Sequence, residues 1–150
     1  MPIGTWTPFR KSVEKISKGV IDLSSHDFKL VLCNSSQVLT SSFVGTSTDA
    51  RYSDLTGELA TGNGYVSGGV SLTSPEIATV ANVSTWQTDD GLITLTGSLT
   101  FKYGLIYDNT TTNKDLICFV DMDTDGGNAS ATISPLVFIM SNGIFRFVGV

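Results

Sequence analysis

The sequence has few basic side chains, one histidine and no long apolar run, and each scarcity excludes a class of function. Nine Lys and Arg stand against 14 Asp and Glu, which gives a formal net charge of -5. This balance is poorly suited to a phosphate backbone, so we expect no nucleic-acid partner. No apolar run approaches the roughly 18 residues of a membrane span, and residues 1–25 lack the apolar core of a secretory signal. We expect a soluble protein that neither contacts a membrane nor is exported.

Residues suited to catalysis are equally scarce. His26 stands in a Ser-Ser-His-Asp turn, where a surface or capping role is commoner than proton transfer. No nucleophile elbow accompanies it, and Asp89-Asp90 is typical of a turn rather than of a glycosidase pair. Cys33 and Cys118 lie in apolar runs without metal-ligand spacing, which indicates buried thiols in a reducing compartment. We predict no catalytic residues, no enzyme activity and no cofactor.

The length favours a single domain over 1–150, and its pattern is mostly that of strands. Thr-Pro followed by apolar residues at helical spacing predicts a short helix over 8–18, behind an extended arm at 1–7. From residue 28 onward, β-branched and aromatic runs alternate with Gly, Asn and Asp. The predicted strands are 28–33, 65–72, 77–83, 92–95, 100–107, 116–121, 131–140 and 144–148. The predicted fold class is all-β, with a β-sandwich or jelly-roll-like domain over 28–150.

Two strand pairings can also be predicted. The runs 103–107 and 116–120 are almost continuously apolar, which is typical of central strands covered on both faces. A polar connection joins them, so we expect a hairpin. The Ser-Asn-Gly turn at 141–143 predicts that the last strand pairs with the strand before it.

The segment 62–72, GNGYVSGGVSL, looks more like a ligand-binding loop than any other stretch. Its glycine spacing has three residues where a dinucleotide fingerprint has two, and it lacks the lysine of a P-loop. The alternating pattern after Gly69 predicts a strand, so no helix N-terminus is available for an anion. We interpret the segment as a turn that leads into a strand.

A second candidate site is the acidic segment Asp-Met-Asp-Thr-Asp-Gly at 121–126. Asp121, Asp123 and Asp125 match the first carboxylates of a calcium loop, but Thr132 stands where an EF-hand needs glutamate. The preceding residues read as a strand rather than a helix. The sequence therefore predicts no metal site of that kind, and leaves open weak Ca²⁺ binding or a solvated acidic turn.

The order of motifs resembles that of small structural proteins of tailed bacteriophages and prophages. The resemblance rests on a Trp-containing arm and short helix, then Phe-Lys-Leu-Val-Leu, the segment Tyr-Ser-Asp-Leu-Thr-Gly-Glu-Leu-Ala-Thr with GNGYVSGGVSL, then Gly-Leu-Ile-Tyr-Asp-Asn-Thr, Leu-Ile-Cys-Phe-Val-Asp and Gly-Ile-Phe-Arg-Phe. It extends from about Trp6 to Phe147 and is greatest to capsid cement, or decoration, proteins.

The resemblance implies a non-enzymatic protein of the virion. Such proteins coat the capsid exterior, having been made in the host cytoplasm during assembly, and stabilise contacts between major capsid protein subunits. The implied partners are the major capsid protein and further copies of the chain, as a homodimer or homotrimer. An alternative is a receptor- or glycan-binding module of a tail or head fibre, with Trp86 and the Ser/Thr-rich loops as contacts.

The expected capsid-facing or oligomer-forming element is the arm and basic helix at 1–20. Residues 1–29 hold five basic and three acidic side chains, whereas the remainder holds four and eleven. Trp86 lies in a polar context where an exposed indole would be a strong anchor, although the ring could instead cover one end of the core. The candidate interface residues are Trp6, Phe9, Arg10, Lys11, Lys15 and Trp86.

Overall fold

The structure is a computed structural model that describes residues 3–45 and 48–148. Residues 1–2 of the predicted arm lie outside this part of the chain. The described residues form one α-helix, a single 3-10 turn and twelve short strands. The elements are β1 Thr7–Pro8, α1 Arg10–Ser17, β2 Phe28–Cys33, β3 Val70–Leu72, β4 Glu76–Val80, β5 Val83–Gln87, β6 Gly91–Ile93, β7 Leu99–Phe101, β8 Tyr103–Asp108, β9 Leu116–Asp121, β10 Ala129–Ala131, β11 Leu136–Phe138 and β12 Phe145–Val148.

All strand pairs are antiparallel, and the all-β prediction is confirmed. The largest sheet has the order β1-β9-β8-β2-β3, and a second has the order β12-β5-β4. Two ribbons, β6-β11 and β7-β10, complete the set. No helix in the described ranges has the length and apolar character needed to cross a membrane.

The five-stranded sheet is covered on both faces. One face packs into a large core together with the smaller sheets, through residues such as Phe28, Trp86 and Phe138. The other face packs against Phe9 and the loop that includes Leu39. The five-stranded sheet therefore lies between a core that it shares with the smaller sheets and a second core that includes Phe9 and loop residues.

The central hairpin is the best-predicted part of the fold. Every residue of β8 is buried, as are all residues of β9 except its last, and the two strands pair antiparallel. A side chain on either face of such strands enters one of the two cores, which explains the almost continuous apolar runs. Both the hairpin and its central position are confirmed.

Several longer strand predictions are wrong in extent. The predicted strand 77–83 is a hairpin of β4 and β5, with a tight turn at Ala81 and Asn82, whose φ values are 48° and 66°. The predicted strand 131–140 includes the last residue of β10 and all of β11, and these two strands pair with different partners. In 65–72, the strand itself is only β3.

The predicted partner of the last strand is also wrong. β12 pairs with β5 rather than with β11. The Asp90 carboxylate accepts hydrogen bonds from the backbone N–H groups of Met140 and Ser141, at 2.8 and 3.1 Å. The backbone N–H of Ile144 then donates to the carbonyl of Trp86. These long-range bonds turn the chain towards β5 despite the local Asn-Gly signal.

The helix is shorter than its predicted range of 8–18. Pro8 belongs to β1, an edge strand that pairs with β9, and an edge is where a residue without an N–H group is tolerated. The N-cap of α1 is Phe9, with no side-chain cap, so Thr7 does not cap the helix. Gly19, with a φ of 71°, follows the C-cap residue Lys18, and a glycine in this left-handed conformation commonly ends a helix.

Candidate interaction surface

The glycine-rich segment 62–72 is a turn whose polar groups are used within the fold. Gly62 and Tyr65 exchange two backbone hydrogen bonds of 2.9 Å. The N–H of Gly68 donates to the Glu58 carboxylate at 2.6 Å, and the N–H of Gly69 donates to the Val66 carbonyl at 3.0 Å. Backbone donors that a phosphate would need are therefore already engaged, in agreement with the interpretation of the segment as a turn.

Glu58 holds this turn to the body of the protein. Its carboxylate also accepts hydrogen bonds from the hydroxyls of Tyr52 and Tyr65, at 2.5 and 2.8 Å. The Tyr65 hydroxyl in turn accepts from the backbone N–H of Leu32 in β2. Burial, together with the Glu58 carboxylate, raises the pKa values of Tyr52 and Tyr65 above the usual range of a tyrosine. The hydroxyls thus stay protonated and act as donors.

Replacing Glu58 with glutamine is expected to lower the free energy of unfolding by about 2 kcal/mol, because a neutral amide replaces a charged acceptor of three hydrogen bonds. Urea denaturation measures the loss. The matched control is Glu76→Gln, since the side chain of Glu76 is exposed and accepts a hydrogen bond from the exposed Gln87 amide. Equal stabilities of the two variants would contradict the role of Glu58.

In the acidic segment at 121–126, the first two carboxylates are engaged within the protein. The Asp121 carboxylate lies 2.9 Å from the Lys102 ammonium and accepts the backbone N–H of Asp123 at 3.0 Å. The Asp123 carboxylate accepts the N–H of Asp125. No cluster of three or more His, Cys, Asp or Glu within the described ranges could hold a metal ion. Of the two readings left open, these contacts favour a structured acidic turn, because the Asp121 and Asp123 carboxylates bind Lys102 and backbone N–H groups of their own segment.

The residues around His26 are organised as a turn. The hydroxyls of Ser24 and Ser25 both donate to the Asp22 carboxylate, at 2.7 Å, rather than to histidine. The Nδ1 atom of His26 lies 2.6 Å from the Asp108 carboxylate, which is fully buried at the end of β8. This pair joins the turn to the central hairpin, and neither serine is placed to act as its nucleophile.

Both cysteines are free and buried, as predicted. Burial, aided by the Glu58 charge, raises the pKa of Cys33 to about 12. Burial also raises the pKa of Cys118 well above its usual range. The two thiols are therefore protonated at neutral pH and behave as core residues.

The two lysines of α1, Lys11 and Lys15, bind the protein's own carboxylates. Lys15 forms an ion pair with Asp115 and lies 3.5 Å from Asp49. Lys11 pairs with Glu14 on the next turn at 3.2 Å. The helix is thereby fixed to the body, and Lys15 is unsuited to contact a capsid because little of its side chain is exposed.

Phe9 is a core residue, so its prediction as an interface residue is wrong for the folded chain. Its ring is completely buried, 5.2 Å from the ring of Phe119 and 6.1 Å from that of Phe43. Arg10 is exposed beside it, and the half-buried Trp6 packs against the main core. Among these three residues, Arg10 is the one that is exposed to solvent.

Trp86 is likewise a core residue, and the exposed-anchor interpretation is wrong. The side chain is completely buried, and its Nε1–H donates to the carbonyl of Leu23 at 2.8 Å. Its ring meets Phe28 edge-on at 4.9 Å and lies 5.3 Å from Phe145. The polar neighbours in the sequence point away from the core, since successive residues of β5 face opposite sides.

A surface that the sequence reading did not single out is free of charged side chains. Residues 91–101 and 126–145 contain no Asp, Glu, Lys or Arg. These same two segments pair with each other as the β6-β11 and β7-β10 ribbons. Two uninterrupted stretches of neutral chain therefore lie side by side.

The outer side of these ribbons is apolar. Val137 of β11 and its cross-strand neighbour Leu92 are both exposed, and Ile139 continues the same row. Two shallow depressions, which share Met122 and Val137, have no charged residue among their described lining. We call this surface the charge-free face; its residues are Ile3, Leu92, Met122, Ile133, Val137 and Ile139. Ile133 and Ile139 are 81% and 62% exposed.

The charge-free face has a composition that is typical of contact surfaces. Most monomeric proteins scatter exposed apolar side chains, and a contiguous patch usually marks an interaction site. The chain matches no protein-family model, no curated protein and no solved structure. The interpretation of the face therefore depends on its own chemistry, which favours another apolar protein surface over a charged or phosphorylated ligand.

Proposed function

We propose that this protein is a non-enzymatic structural protein of a bacteriophage virion, a cement protein that binds the outer surface of the head. The observation that supports this best is the charge-free face, an apolar surface built on paired strands. Ionisable side chains that could otherwise suggest chemistry, such as Glu58 and Lys15, are engaged in holding turns and helix in place.

The charge-free face is the proposed contact with the major capsid protein. Its partner would present an apolar patch, and burial of such area is the main favourable term in association. The remaining surface carries the net charge of -5, which opposes non-specific aggregation. Two or three associated copies would engage several capsid subunits at once and gain avidity. The proposed location is the capsid exterior, after assembly in the host cytoplasm.

The test is a binding assay between the purified protein and expanded capsids that lack it. Replacing Val137 with lysine is expected to weaken saturable decoration by about tenfold or more, because the change places a charge in an apolar contact. The matched control is Val38→Lys, since Val38 is exposed outside the charge-free face. Electron microscopy counts the bound copies.

The outcomes separate the proposal from its alternatives. Ordered decoration by the wild type and the Val38 variant, with loss for the Val137 variant, would support it. Equal binding of both variants would contradict the assignment of the face. Absence of capsid binding, together with labelling of phage tails or of cell-surface glycans, would replace the cement function by that of a fibre module. Matched thermal unfolding midpoints show that both variants remain folded.

A further inference from the structure

The β4 strand leaves one side of the three-stranded sheet open. In the part of the chain that the structure describes, β4 is hydrogen-bonded to β5 alone. Its residues are mostly exposed, with the side chains of Ile77 and Val80 46% and 74% accessible. An unpaired edge rich in β-branched residues is a template for a further strand, and proteins commonly protect such edges with Lys, Pro or a bulge. Within β4 itself, Glu76 is the single charged residue.

The register of the hairpin determines which backbone groups are unpaired. Residues of an antiparallel strand direct their N–H and C=O groups alternately towards one neighbour and the other. Val80 and Val83 flank the two-residue turn, and Ala78 is opposite Thr85. The carbonyl of Ala78 faces β5, since it also accepts the Thr85 hydroxyl at 3.3 Å. The backbone groups of Ile77 and Thr79 therefore point to the open side.

We propose that two copies of this chain associate by antiparallel pairing of β4 with β4, across a two-fold axis at Ala78. In this register Ile77 of each copy is opposite Thr79 of the other. Each of these two pairs exchanges two hydrogen bonds, about four in all. The two sheets join into one, with the order β12-β5-β4-β4-β5-β12. This inference deepens the self-association in the proposed function and rests on it.

A second copy fits this edge because the strand is self-complementary in that register. The small Ala78 side chain meets its own copy at the close, non-hydrogen-bonded position. Glu76 lies opposite Val80, so the two carboxylates stand at opposite ends of the pairing. The exposed part of Ile77 extends the core-facing row of Trp86, its cross-strand neighbour. A two-fold interface is isologous and requires this kind of symmetry.

Neighbouring registers use the edge less well. Centring the pairing on Ile77 places Pro75, which lacks an N–H group, opposite Thr79. Centring it on Thr79 moves the Ala81 turn opposite Ile77, outside the strand. Centring it on Glu76 brings two like charges together. In the Ala78 register, by contrast, all of the bonds form between residues of β4 itself, and no like charges meet.

Proline at position 79 tests the hydrogen bonds directly. The N–H of Thr79 faces the open side, so Thr79→Pro leaves the β4-β5 bonds in place and removes one donor from each copy. Sedimentation over a concentration series is expected to show a dimer for the wild type, with a dissociation constant at least about tenfold weaker for Thr79→Pro. The control Thr79→Val keeps the N–H group and is expected to dimerise like the wild type. A wild type that stays monomeric throughout the series would overturn the inference, as would equal association of Thr79→Pro.

A disulfide test locates the axis. Cysteines facing each other at a non-hydrogen-bonded antiparallel pair have a separation that a disulfide can span. Ala78→Cys is therefore expected to form covalent dimers on mild oxidation, whereas Ser130→Cys, exposed on β10, is not. Wild-type Cys33 and Cys118 are buried and serve as the background. Cross-linking through residue 130 but not 78 would overturn the proposed axis and assign self-association to the β7-β10 ribbon.

The β4 pairing and the cement function can fail separately, because sedimentation and disulfide formation are measured on the isolated protein, whereas decoration is measured on capsids. A monomer that decorates capsids would overturn the β4 pairing and leave the cement function standing. A β4-paired dimer that does not bind capsids would overturn the cement function and support the β4 pairing.

Discussion

Replacing Trp86 with alanine is expected to lower the free energy of unfolding by about 4 kcal/mol. The side chain is completely buried at the point where the β12-β5-β4 sheet meets the five-stranded sheet, between Phe145 and Phe28. Alanine would leave a cavity there, and the Leu23 carbonyl would lose its hydrogen bond from the indole. Urea denaturation followed by far-UV circular dichroism measures the change.

Two further variants separate the contributions to this loss. Trp86→Phe keeps an aromatic ring but removes the indole N–H, and its expected cost is about half that of alanine. Phe147→Ala, on the adjacent strand β12, is expected to cost less than about 1 kcal/mol because Phe147 is partly exposed. If Trp86→Ala were as mild as Phe147→Ala, the central position of Trp86 in the core would be contradicted.

The burial of Trp86 could have been predicted from alternation, but not from local polarity. Thr85 and Gln87 flank it, and in a strand they face the opposite side of the sheet. The polar neighbours of Trp86 therefore indicate the character of the outer face of β5, and not that of the face that carries Trp86. What the sequence cannot supply is the layer that covers Trp86, because Phe28 and Leu23 are about 60 residues away in the chain.

Features that depend on a single stretch of chain were predictable, whereas features that join distant stretches were not. The central hairpin follows from two apolar runs and the connection between them. The pairing of β12 depends instead on Asp90, whose carboxylate acts about 50 residues along the chain. Turn chemistry at 141–143 indicates a turn correctly but does not determine its partner strand.

The charge-free face could be predicted only in part from the sequence. The gaps in charge at 91–101 and 126–145 are visible by inspection, yet each gap alone reads as ordinary strand and loop. Only the pairing of β6 with β11 and of β7 with β10 brings the gaps together. The contact surface was predicted at the basic helix instead. The charge of Lys15 is visible in the sequence, but its ion pair with Asp115 is not.

Replacing Gly69 with alanine is expected to lower the free energy of unfolding by about 3 kcal/mol. Gly69 has a φ of 85°, a left-handed conformation that costs a residue with a Cβ roughly 1–2 kcal/mol. An added Cβ would also collide with the carbonyl oxygen of Leu30 in β2, which is backbone and cannot rotate away. The chain enters β3 at this point, so the collision forces the edge strand from the sheet.

Its matched control is Gly62→Ala, in the same segment. Gly62 has no positive φ, and no atom lies within 4 Å of an added Cβ, so its expected effect is within about 0.5 kcal/mol. Gly68→Ala should fall between them, since its φ of 96° is unfavourable although the space is open. This graded order, measured by chemical denaturation, is the signature of a turn packed against a strand. Equal stabilities for the three variants would mean that the segment does not pack on β2, and its glycines would then need a ligand to explain them.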